Sequence, residues 1–146
     1  MIFHVWSVLC RLAITDQDTN TISLISAVEQ LNVQDVPKSE GIIKAPFTLV
    51  SLFERADASK PSLGMYRITV KKPSSEPLVS EVFPIDLTDH QRTRLKVEFE
   101  GLPAEEEGRF FFLVDLKPEA DANWQPVAKI PLTVIFQPQK NEDQAP

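Results

Sequence analysis

Three residues in the stretch TDQDTNTISLISAV, Asp16, Asp18 and Asn20, stand at the alternate positions that open a calcium-binding loop. Such a loop also needs glycine at its sixth position and glutamate at its twelfth, because one makes the sharp turn and the other chelates through both oxygens. Thr21 and Ala27 occupy those positions, so the motif fails twice. A calcium-binding sandwich would instead gather aspartates from two neighbouring loops. Here Asp57, Asp86, Asp89, Asp115 and Asp121 are scattered, and the segment is read as a solvated hairpin turn whose Asp and Asn side chains bond to nearby backbone.

Nucleophile and base chemistry finds no better footing. His4 and Cys10 are separated by six residues of strand-like sequence, roughly 20 Å in extended chain, too far to share an ion or a proton. The other histidine, His90, lies in the polar stretch LTDHQRT. A lone strand cysteine is expected to behave as a small buried hydrophobe. No nucleophile elbow, phosphate-cradling glycine loop or His-Glu-x-x-His pattern occurs, and PAEEEG at 103–108 has the character of a charged hairpin tip. Trp6 falls in a dense apolar segment and is read as core, whereas Trp124, in DANWQP, falls in a loop, where an exposed ring is the weaker, sugar-stacking alternative. No catalytic residue, metal site or cofactor is expected.

The elements that must position any site follow from composition and period. The 146 residues suit one domain, with 42% hydrophobic and 25% charged residues, and the formal net charge of −6 disfavours binding to a phosphate backbone. No apolar run approaches the length of a membrane span. The apolar start MIFHVWSVLCRLAI lacks a basic leader and a small-residue cleavage site, so it is read as a strand rather than a signal peptide. A single cysteine fits a reducing compartment, and the expected location is the cytoplasm.

Helical spacing of apolar residues is almost absent, whereas short alternating segments recur between twelve scattered prolines. The pattern predicts strands over 2–14, 21–28, 45–55, 65–72, 77–85, 93–101, 109–116 and 128–136, with a loop and at most a short helical turn over 29–44. Seven to eight strands of this kind imply an all-β fold, a two-sheet antiparallel sandwich occupying residues 1–136, followed by a polar tail from 137 to 146.

Most strands separate their faces cleanly, as Leu95, Val97 and Phe99 do from Lys96, Glu98 and Glu100. Three do not. In 109–116, Phe110, Phe112, Val114 and Leu116 oppose Phe111 and Leu113. In the first strand, Ile2, Trp6, Val8, Cys10, Leu12 and Ile14 oppose Phe3, Val5 and Leu9. In 45–55, Phe47, Leu49 and Phe53 oppose Val50 and Leu52. If such strands are neighbours in one sheet, the outer face is an apolar patch that monomers rarely leave bare. The expected contact residues are Phe111, Leu113, Phe3, Val5 and Leu9, unless the 29–44 loop covers them.

Two motifs carry a resemblance. Asn20, Ile22, Ser23, Leu24, Ile25, Ser26 and Val28 form the first; Gly101, Leu102, Pro103, Gly108, Phe110 and Phe112 form the second. Together they resemble a family of small bacterial domains of unknown function, from which the chain departs at Ser26, where glycine is frequent. The resemblance implies an immunoglobulin-like sandwich and brings no activity and no functional residues. The expected function is therefore a non-enzymatic interaction or scaffold module that binds a protein partner or forms a homodimer. Calcium or carbohydrate binding through the loops is the alternative; neither nucleic acid nor membrane is an expected partner.

Overall fold

The computed structural model describes residues 1–34, 42–43, 45–103 and 106–137. Its strands are β1 (Ile2–Thr15), β2 (Ile22–Ala27), β3 (Gln30–Val33), β4 (Ile42–Ile43), β5 (Phe47–Arg55), β6 (Ser62–Lys71), β7 (Pro77–Leu87), β8 (Arg92–Phe99), β9 (Leu102–Pro103), β10 (Gly108–Lys117) and β11 (Gln125–Phe136). They build a four-stranded sheet of order β2-β1-β5-β8 and a five-stranded sheet of order β3-β11-β10-β6-β7, with β4 and β9 as a short separate pair. The fold is an all-β sandwich, and no helix occurs among the described residues. None is therefore long and apolar enough to cross a membrane.

Within 29–44, where a loop with a helical turn was expected, Gln30–Val33 runs parallel to β11 as an added edge strand. Among the described residues it is the one parallel pairing, the other ladders being antiparallel. Residues 35–41 and 44 lie outside the described residues, as does the tail beyond Gln137.

Period-two alternation makes the core. Phe110, Phe112, Val114 and Leu116 of β10 face Leu49, Phe47 and Phe53 of β5 across the sandwich, with Tyr66, Ile68 and Val70 of β6 alongside. Aromatic rings interlock there: Phe112 stands edge-on to Phe47 and Phe99 at 5.6 and 5.4 Å between centroids, and Tyr66 stacks on Phe83 at 5.0 Å. Gly64 has a packing reason, since a Cβ there would sit 2.6 Å from the Lys117 carbonyl.

The faces of β1 differ from simple alternation. Its register against β5 slips between His4 and Trp6, leaving Val5 as the extra residue of a bulge. One added residue reverses which side every later side chain takes. Ile2, His4, Ser7 and Leu9 therefore point inward, while Trp6, Val8 and Cys10 point outward beside Leu52, Val50 and Thr48. Leu9 is 2% exposed and belongs to the core, so it is not part of a contact face. Phe3 and Val5 are exposed at 43% and 42%.

The strand 109–116 lies in the other sheet from β1 and β5. Phe111 and Leu113 thus occupy the opposite outer surface from Phe3 and Val5, and no single patch contains all four. The outer face of the four-stranded sheet also has a cover that alternation did not foresee. The far half of the β1–β2 hairpin bends over it, so that Lys96 Nζ donates to Thr15 Oγ1 at 3.3 Å and the Arg94 guanidinium donates to the Asn20 carbonyl. Cys10, Thr48 and Val50 are buried on that face.

Candidate functional site

The Asp16 carboxylate serves the turn that connects β1 to β2. Its Oδ1 accepts from the backbone N–H of Asp18 at 2.9 Å and of Thr19 at 3.3 Å, while the Asp16 N–H donates to the Thr21 carbonyl. Asn20 adopts φ +56°, the left-handed conformation that Asn tolerates in turns. No group of three or more His, Cys, Asp or Glu side chains capable of holding a metal occurs among the described residues. Asp57 and Asp86 play the same turn-forming part elsewhere. Hydrogen bonds from Ser59 and Thr88 respectively hold their carboxyls below the usual carboxylate range.

His4 meets neither Cys10 nor His90. Its Nε2 lies 2.7 Å from Ser7 Oγ, which lies 2.7 Å from Ser51 Oγ, giving a three-member polar chain on the inner face of the sheet. Sequence reasoning missed it, because Ser51 comes from β5 and only the β1–β5 register brings it opposite Ser7. A serine beside a histidine has the elements of a nucleophile and its base. What the three groups accomplish in this geometry is mutual satisfaction: Ser51 is buried, and its hydroxyl would otherwise lack a partner. Burial pushes the His4 pKa below its ordinary 6.5 against a smaller upward pull from the Trp6 backbone, so the ring is neutral at pH 7. Burial likewise raises the Cys10 thiol, with Leu12 backbone and Lys96 opposing, and keeps it a poor nucleophile.

On the outer face of the five-stranded sheet, Phe111 is half-buried between two cations. Lys129 Nζ lies 4.4 Å and the Arg109 guanidinium carbon 5.4 Å from its ring centroid. Trp124 is held the same way by Arg67 at 4.5 Å and Lys117 at 5.8 Å, and Arg67 also pairs with Asp115 at 3.2 Å. The Trp124 ring is thus half-buried and contacted by two cationic side chains. Leu113 sits between Thr69 and Lys129 in the ladder. This surface is aromatic and cationic rather than simply apolar.

The other surface is the convex side of the bent hairpin. Leu12 and Ile25 are directly opposed across the β1–β2 ladder, and Ile14 lies two residues further along the same face. They are exposed at 50%, 43% and 48%. Their edge strand, β2, reads ISLISA and carries neither a charge nor a proline. The long edges elsewhere are protected: β7 contains Pro77, Glu81, Pro84 and Asp86, and β8 contains Arg92, Arg94, Lys96 and Glu98.

No family model matches the chain, and no curated protein matches it. Among solved structures, the N-terminal domain of PorA aligns with 90% of this chain and 98% of its own length, at 9% identity and a TM-score of 0.34. That likeness is too distant to carry an argument about this protein.

Proposed function

We propose that the protein is a non-enzymatic interaction module that associates with a second copy of itself along strand β2. The supporting observation is the contrast among its edges: β2, unlike β7 and β8, carries no charge and no proline along its row of backbone donors and acceptors. A two-fold axis sets each edge against its own image, so a charged edge repels itself and an uncharged one does not. Antiparallel β2–β2 pairing would join two four-stranded sheets into one and draw the Leu12, Ile14 and Ile25 faces together. The same reading takes the sandwich as immunoglobulin-like and bacterial. It places the protein in the cytoplasm, in keeping with its single, free, buried cysteine.

Light scattering on a sizing column tests the association. The wild type is expected to elute as a dimer, and the Ser23→Lys, Ile25→Lys double variant as a monomer with an unchanged melting curve. A monomeric wild type at its highest soluble concentration rejects the proposal.

A further inference from the structure

Edge strands β7 and β8 flank one side of the sandwich. There a cleft of about 430 Å³ is walled by Ile68, Val79, Phe83, Val97, Phe99 and Leu102. That volume falls within the range of small-molecule sites, which are commonly apolar with a few polar groups at fixed positions.

The polar groups here are all of one sign. Glu81 stands opposite Ile68 in the β6–β7 ladder, so it occupies the inner face between Val79 and Phe83, where the core pattern calls for an apolar side chain. Glu98 and Glu100 border the same cleft from the β8 side. Among the described residues no Lys or Arg lines it, and no ion pair joins any of these three carboxylates to another described residue. An inward-pointing charge on an edge strand also discourages a further strand from pairing there, and Pro77 and Pro84 add to that effect. An extended peptide is therefore a poor occupant, whereas a compact one avoids the blocked edge.

We propose that this cleft binds a small organic cation with an apolar body, an alkyl- or aryl-ammonium. The body would displace water from the walls formed by Val79, Phe83 and Phe99. The ammonium would rest at the mouth beside Glu81, with Glu98 and Glu100 at the border adding attraction. A carboxylate ligand of the same body meets repulsion at the mouth and loses that gain.

The probe pair is n-octylammonium and n-octanoate, which share a chain and differ in sign, titrated below their micelle concentrations into methyl-labelled protein. Octylammonium is expected to shift the Ile68, Val79, Val97 and Leu102 methyl resonances saturably, with octanoate weaker by about tenfold. Glu81→Gln is expected to weaken octylammonium by about fivefold, the effect of one partly exposed charge pair. Val79→Trp, which fills the cleft from a surface position, is expected to abolish the shifts while the circular dichroism stays native. Equal binding of both probes, shifts centred on Leu12, Ile14 and Ile25 instead, or undiminished binding to the Val79→Trp variant would each overturn the assignment.

Discussion

Lys96 Nζ lies 3.3 Å from Thr15 Oγ1, although the ladders set their backbones far apart. Lys96 is opposite Val50, and Val50 is opposite Val8. Thr15 is seven residues beyond Val8, about 23 Å along a straight strand. The contact exists because β1 bends back. Its pairing with β5 ends at Cys10, and from Leu12 to Thr15 only β2 supports it. A two-stranded ribbon twists and coils more than a wide sheet.

The bend makes Cys10 a reporter. Because it is the only cysteine, buried and with a raised pKa, a chromogenic aromatic disulfide should label the native protein slowly. Replacing Arg94 and Lys96 with alanine removes two contacts at the hairpin tip. Labelling should then accelerate roughly tenfold while global stability changes little. An unchanged labelling rate would show that these contacts do not hold the hairpin down.

Ser26 tests the same bend from the backbone. It adopts φ +58°, and the β1–β2 register skips from Ala27 to Ile25 around it. Glycine takes this conformation without strain, so Ser26→Gly is expected to be about 0.5 kcal/mol more stable in urea unfolding. Ser26→Val, whose branched Cβ opposes positive φ, should lose at least about 1 kcal/mol.

His4 sets an acid-side dependence. Its folded pKa is depressed by burial, so the unfolded chain takes up a proton near 6.5 that the native state resists. Stability from this group is full above 6.5, falls as pH drops below that value, and levels off beneath the folded pKa. Urea midpoints on either side of 6.5 should show the fall, and His4→Gln should remove it. The depressed Asp57 and Asp86 carboxyls act in a separate window, losing their contribution only as pH falls below the ordinary 3.8.

Tyr66 sets an alkaline one. It is the only tyrosine, and burial first, then the nearby Glu81, push its pKa up to about 12. The native state keeps a proton that the unfolded chain gives up near 10, so stability should decline as pH rises above 10. Phenolate absorbance reads this single residue directly. Its midpoint should lie near 12 in the native protein and move down, though not to 10, in Glu81→Gln, since desolvation is the larger cause.

Much of the fold was legible in the chain because strand alternation is a local property. Leu95, Val97 and Phe99 declare their inward side without reference to any other strand, and the polar turn after Thr15 follows from Asp16 and Asn20 alone. The class of fold, the positions of the long strands and the failure of the calcium motif were settled at that level. What required the tertiary structure were properties of pairs of strands. The bulge at Val5 reversed the faces of β1 and sent Leu9 into the core, and it exists only relative to β5. The assignment of 109–116 to the opposite sheet, which parts Phe111 from Phe3, depends on sheet order. The His4–Ser7–Ser51 chain, the hairpin folded across Cys10 and Val50, and the open seam between β7 and β8 each join different strands, with Ser7 and Ser51 44 positions apart and Thr15 and Lys96 81. Their contacts arise from register and sheet twist, which no single stretch of sequence encodes.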